Sequence, residues 1–101
     1  MTKTNFSLEG KVALITGGSR GIGKAIALGF ASFGADVVVA SRKLAELEKV
    51  AEEIKGLGRK SLAIEAHVGM MGDINNLVSK TKEEFGRIDI LVNNAGTNPV
   101  M

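Results

Sequence analysis

A chain of 101 residues has room for one small domain, and 45% hydrophobic residues argue for an ordered core rather than a disordered segment. Thirteen Lys and Arg against eleven Asp and Glu leave a formal charge of +2, too small and too dispersed to call for nucleic acid or a membrane surface. Cysteine and tyrosine are absent and one histidine is present, which removes disulfide and thiolate chemistry, a tyrosyl acid and a multi-histidine metal site. No apolar run is long enough to span a bilayer, and the first ten residues are too polar for a signal peptide, so a soluble, cytoplasmic protein is expected. Residues 1–7 read as a flexible leader and residues 8–101 as a single domain.

Taken in chain order, the apolar pattern alternates between two periodicities. Val12–Thr16 is a short apolar run of strand type, and a glycine-rich turn follows it. Ile22, Ile26, Phe30 and Phe33 then recur at helical spacing. A second strand is expected over Asp36–Ala40. The helix after it places Leu44, Leu47, Val50, Ile54 and Leu57 on one stripe, with Glu46, Glu48, Lys49, Glu52 and Lys55 on the wet faces. A third strand is expected over Ser61–Ala66. The third helix uses Ile74, Leu77, Val78, Thr81 and Phe85, with Asp73 in its first turn and Gly86 as its stop. A fourth strand is expected over Ile88–Asn93. Strands alternating with helices through short, glycine-punctuated connections predict right-handed crossovers and a parallel sheet, an α/β fold. Val37, Val38, Val39 and Ala40 are apolar at consecutive positions, as a strand covered on both faces should be.

The turn Thr16-Gly17-Gly18-Ser19-Arg20-Gly21-Ile22-Gly23 carries the chemistry. It joins a strand to a helix, so free backbone N–H groups and a helix dipole converge on one point, an arrangement suited to phosphate. Gly17 permits a tight turn, Gly21 lets backbone approach a ligand, and Gly23 lets the helix close on the sheet. The bland alternative is a structural turn without a ligand. The end of the second strand bears on which nucleotide: an NAD site there wants Asp or Glu for the ribose hydroxyls. Here the strand ends Ala40-Ser41-Arg42-Lys43, with no acid expected within reach. A guanidinium pairs with a 2′-phosphate that a carboxylate repels, so Arg42 points to NADP rather than NAD. The alternative for Arg42 is an ordinary exposed side chain at a helix start, and Arg20 either flanks the same phosphate or is simply solvated. Asn93 and Asn94 close the fourth strand at the carboxyl end of the sheet, where such folds bind ligands. They equally suit a turn. His67, after the third strand, is either beside the adenine or structural.

Together these motifs resemble the short-chain dehydrogenase/reductase family. Its T-G-x-x-x-G-I-G motif is met by Thr16 to Gly23, and its N-N-A-G motif by Asn93-Asn94-Ala95-Gly96, led in by Asp89-Ile90-Leu91-Val92. The resemblance implies a doubly wound Rossmann-like sheet in the order third, second, first, fourth. It also implies NAD(P) binding and hydride transfer between carbonyl and hydroxyl groups. By the same resemblance, Gly17, Ser19, Arg20, Gly21 and Ile22 would line the pyrophosphate and ribose. Arg42 would hold the 2′-phosphate, Val68 the adenine side, and Asn94, Ala95 and Gly96 the inner ribose. Where the family has Asp followed by Val or Leu, this chain has His67-Val68. With Gly69 and Thr97-Asn98-Pro99, that pair bears a weaker resemblance to the NADP-dependent carbonyl reductase branch.

The family's catalytic Ser and Tyr-x-x-x-Lys lie beyond N-N-A-G, and neither is found here. The sequence therefore reads as the cofactor-binding part of a reductase, truncated after the fourth strand, inactive alone, and without catalytic or metal-binding residues of its own. The alternative is a non-catalytic nucleotide-binding or assembly module. A methyltransferase would want an acid where Arg42 stands, and a P-loop NTPase would want Gly-Lys-Ser/Thr after the turn. With no later strand to cover it, the fourth strand should present an open edge through which the chain forms a homo-oligomer.

Overall fold

The computed structural model describes residues 7–17, 21–67 and 71–94, with Met71 described by its backbone alone. Among the described residues, seven elements follow in the expected alternation: β1 (Val12–Thr16), α1 (Gly21–Ser32), β2 (Asp36–Ser41), α2 (Leu44–Gly56), β3 (Ser61–Glu65), α3 (Met71–Phe85) and β4 (Ile90–Asn93). All pairings are parallel and the sheet runs β3-β2-β1-β4, the order the resemblance implied.

The run of valines in β2 works as its pattern requires. Val37 and Val39 enter one core with Ile15, with Ala27 and Ala31 of α1, and with Leu47, Val50 and Ile54 of α2. Val38 and Ala40 enter the opposite core with Leu14, Ile64, Ala66 and Leu77 of α3. Successive strand residues point to opposite faces, so a strand clad by helices on both sides has no position left for a polar residue. Each of these valines contributes about 1.5–3 kcal/mol by burial.

Several expected details are corrected by packing. In α1 the stripe through Ile22, Ile26, Phe30 and Phe33 is not the buried face; Gly23, Ala27 and Ala31 are. Ile22 is 71% exposed, and Phe33, 54% exposed, lies just past the helix. The helix lies so close to the sheet that only small residues fit between, which pushes Ile26 and Phe30 to the flank of the core. Leu57 is exposed in the cap of α2, where the chain turns at Gly58 with φ +85°. In α3, Leu77 and Thr81 are buried, the Thr81 hydroxyl donating to the Leu77 carbonyl at 2.8 Å, while Ile74 keeps 37% of its surface exposed.

Strand bounds shift by one or two residues. β2 continues to Ser41, and β3 stops at Glu65, although the Ala66 amide still donates to the Ser41 carbonyl. β4 begins at Ile90 rather than Ile88 because a side chain takes over the ladder. The Val12 amide donates to the Asp89 carboxylate at 2.8 Å, and the Asp89 amide donates to the Val12 carbonyl at 2.9 Å. Arg87 clamps the other carboxylate oxygen at 2.7 Å. The Arg87 hydrogen bond first, and the Val12 amide second, hold Asp89 below the usual carboxylate range.

β4 forms one edge of the sheet, and its surroundings are apolar. Leu91 is 62% exposed on the α3 side. On the other face, Leu8, Ile26, Phe30, Phe33 and Val92 line an open groove of about 690 Å³. No helix among the described residues is long and apolar enough to cross a membrane.

Candidate nucleotide-binding site

The carboxyl ends of β1 and β4 meet the amino end of α1 at one point. Gly17 leaves β1 with φ +71° and Gly21 opens α1 with φ +63°, values that side-chain-bearing residues rarely adopt. The Gly17 amide donates to the Ala40 carbonyl at 2.7 Å, which fixes the turn to the end of β2. Gly23 then sits directly on that turn. A Cβ there would lie 2.0 Å from the Gly17 carbonyl oxygen and 2.9 Å from Asn94 Nδ2. By contrast, a Cβ at Gly21 would meet nothing within 4 Å, so this backbone faces open space where a ligand can approach.

Thr16 ties the turn to β4. Its hydroxyl donates to Asn93 Oδ1 at 2.9 Å and accepts from the Asn94 amide at 3.1 Å. The Asn94 side chain donates to the Gly17 carbonyl at 3.4 Å. The two asparagines expected near the ligand are thus structural as well. They tie the end of β4 to Thr16 and Gly17, beside the N-terminus of α1. The signal for this was the Thr16 hydroxyl, which the sequence reading had not singled out.

The residues expected on the adenosine side lie at the ends of β2 and β3. Arg42 is exposed immediately after β2, where it was expected, and its side chain makes no hydrogen bond or ion pair among the described residues. The Ser41 hydroxyl accepts from the Lys43 amide at 3.1 Å and shapes the entry to α2. His67 is exposed after β3, and its amide donates to Asp73 Oδ2 at 2.8 Å. The acid in the first turn of α3 therefore anchors the backbone of His67. One expectation is corrected here: strand pairing sets Glu65 opposite Ser41, so an acid does stand near the end of β2. Glu46, half-buried in the first turn of α2, is a second. Ser19, Arg20, Val68, Ala95 and Gly96 lie outside the described residues. Among the described residues, no group of three or more His, Cys, Asp or Glu side chains could hold a metal ion.

A profile of the short chain dehydrogenase family matches residues 11–101. The chain belongs to that family. It is 47% identical over 97 residues to versicolorin reductase 1 of Dothistroma septosporum, covering 95% of this chain and 37% of that protein. It is 50% identical over 93 residues to 2-dehydro-3-deoxy-D-gluconate 5-dehydrogenase of Pseudoalteromonas atlantica, covering 91% of this chain and 37% of that one. Among solved structures, a short-chain type dehydrogenase/reductase from Mycobacterium marinum superposes with a TM-score of 0.89 at 45% identity. That match covers 96% of this chain and 39% of the other. The chain thus spans a little over a third of the length of these relatives. Short-chain dehydrogenases are oxidoreductases that use an NAD(P) nucleotide, and the turn described above stands where a Rossmann-like fold receives it.

Proposed function

We propose that residues 8–101 form the NADP(H)-binding part of a short-chain dehydrogenase/reductase, with residues 1–7 as a leader. The observation that carries this reading is the cradle itself. Gly23 packs against the Gly17 carbonyl while Gly21 faces open space at the N-terminus of a 12-residue helix. Backbone N–H groups and the helix dipole there favour an anion. Gly17, Ser19, Arg20, Gly21 and Ile22 would hold the pyrophosphate and ribose. Arg42 would hold the 2′-phosphate, His67 and Val68 would flank the adenine, and Asn94, Ala95 and Gly96 the inner ribose. The exposure of Arg42 and its lack of an ion-pair partner among the described residues support its assignment to an external phosphate.

When bound, the nicotinamide supplies the hydride that passes to or from a carbonyl carbon. This chain's own part is to bind and orient the cofactor. The sequence contains no tyrosine to protonate a carbonyl oxygen, so turnover of NADPH with ketones is not expected from these 101 residues alone. We place the protein in the cytoplasm. Calorimetric titration with NADP(H) and NAD(H) tests the reading. Tighter binding of NADP(H) is expected, and Arg42→Asp should reverse the order; equal affinities in the unmodified chain would overturn the assignment.

A second reading, a non-catalytic nucleotide-binding or assembly module, is favoured by the open β4 edge and the apolar surface on both its faces. On this reading the chain forms a homo-oligomer through β4. Light scattering across a concentration series tests it, and a monomer at every concentration would remove it.

A further inference from the structure

Glu65 is placed by the sheet where nothing in its sequence neighbourhood would put it. β3 runs parallel to β2 with Ser41 as the partner of Glu65, so the two residues sit side by side on adjacent strands, about 5 Å apart between backbones. Ile64 and Ala66 belong to the core under α3. Strand alternation therefore turns Glu65 to the other face of the sheet, the face covered by α1 and α2 and shared with Ser41 and Val39. The side chain is exposed and makes no hydrogen bond or ion pair among the described residues. It stands beside the end of β2, next in space to the residues that precede α2, and lines a cavity with Leu44, Lys80 and Glu84.

The two cations at that end, Arg42 and Lys43, are exposed as well. An adenosine ribose held there would have Arg42 on one side and the carboxylate of Glu65 on the other. We propose that Glu65 is a specificity-determining residue: it opposes a 2′-phosphate while leaving a 2′-hydroxyl unaffected, so it weakens the preference that Arg42 creates. This rests on the cofactor-binding reading above. The physical basis is simple repulsion. A phosphate monoester carries between one and two negative charges near neutral pH, whereas the hydroxyl it replaces carries none. A carboxylate one strand away, within about a Debye length and only partly screened, acts on the first and not on the second.

The test uses the two adenosine ligands that isolate this end of the site, adenosine 2′,5′-bisphosphate and 5′-AMP, titrated calorimetrically into the 101-residue chain and into Glu65→Gln. The variant should bind the bisphosphate more tightly by roughly three- to tenfold at low ionic strength, leave 5′-AMP within about twofold, and lose most of the gain in 0.5 M salt. Glu65→Lys should move the same ratio further in the same direction. Melting curves of both variants should overlay that of the parent, because the side chain makes no contact the fold needs. An unchanged ratio, a ratio that moves the other way, or equal gains for both ligands would overturn the proposal while leaving nucleotide binding intact. Binding of neither ligand by the parent would instead overturn the cofactor reading, and this inference with it.

Discussion

Replacing Gly23 by Ala should damage this protein more than any other single methyl group added to α1. The added Cβ would begin 2.0 Å from the Gly17 carbonyl oxygen, 2.8 Å from its carbon and 2.9 Å from Asn94 Nδ2. Two of those atoms are backbone, so no rotamer change relieves the contact; α1 must move off the sheet or the turn must open. Overpacking of this kind costs roughly 1–3 kcal/mol, and contact with backbone puts the cost at the upper end. Better helix propensity returns at most about 1 kcal/mol, leaving a net loss near 2 kcal/mol. For a domain of this size that lowers Tm by about 8–16 °C. Gly29→Ala is the internal control. It lies in the same helix, and a Cβ there meets nothing within 4 Å. Its propensity gain of about 0.5–1 kcal/mol should raise Tm by a few degrees. Circular dichroism melts of the two variants decide the matter. If both shift the same way, or if Gly23→Ala melts with the parent, the close packing of α1 on the Gly17 turn is wrong.

Thr16→Val keeps the shape of a buried residue but removes the hydroxyl that bonds Asn93 and Asn94. It should cost about 1–3 kcal/mol by denaturant titration, because the partner groups lose their bond inside the protein. It should also weaken NADP(H) binding. Asp89→Asn should flatten the acid limb of stability. Asp89 is held below its usual value of 3.8, so what it contributes is complete above that pH and is lost as the pH falls through the lower folded value. Plotting Tm against pH from 6 to 2 for parent and variant checks this; parallel curves would contradict it.

Where the sequence was informative, the reason can be traced to particular residues. β1 was legible to the residue because its apolar run ends in the threonine that caps the turn. The two-sided burial of β2 was visible in three adjacent valines. The glycine turn was legible because its glycines meet backbone requirements: Gly17 and Gly21 have positive φ, and Gly23 packs on the Gly17 carbonyl. The contact face of α1 was missed for a physical reason. Periodicity reading follows large apolar side chains, whereas this helix approaches through glycine and alanine and leaves Ile22 and Phe33 outside. The start of β4 was misplaced because a carboxylate can stand in for a ladder carbonyl, which hydrophobic pattern does not register. Glu65 beside Ser41 could not be read at all, since strand register joins residues far apart in the chain.

Strand order also decides when each part of the sheet can be completed as the chain is made. β1 lies between β2 and β4, but the Val12–Asp89 contact that begins its second ladder joins residues 77 positions apart. At synthesis rates of about 5–20 residues per second, β3, β2 and β1 are available to one another for a few seconds before β4 leaves the ribosome. Throughout that interval one side of Ala13, Leu14 and Ile15 has no partner strand, although these residues end up among the least exposed in the protein. On a crowded message, neighbouring nascent chains carry the same open edge at the same stage. The internal position of β1, which secures it on both sides once folding is complete, leaves it open on one side while translation is under way.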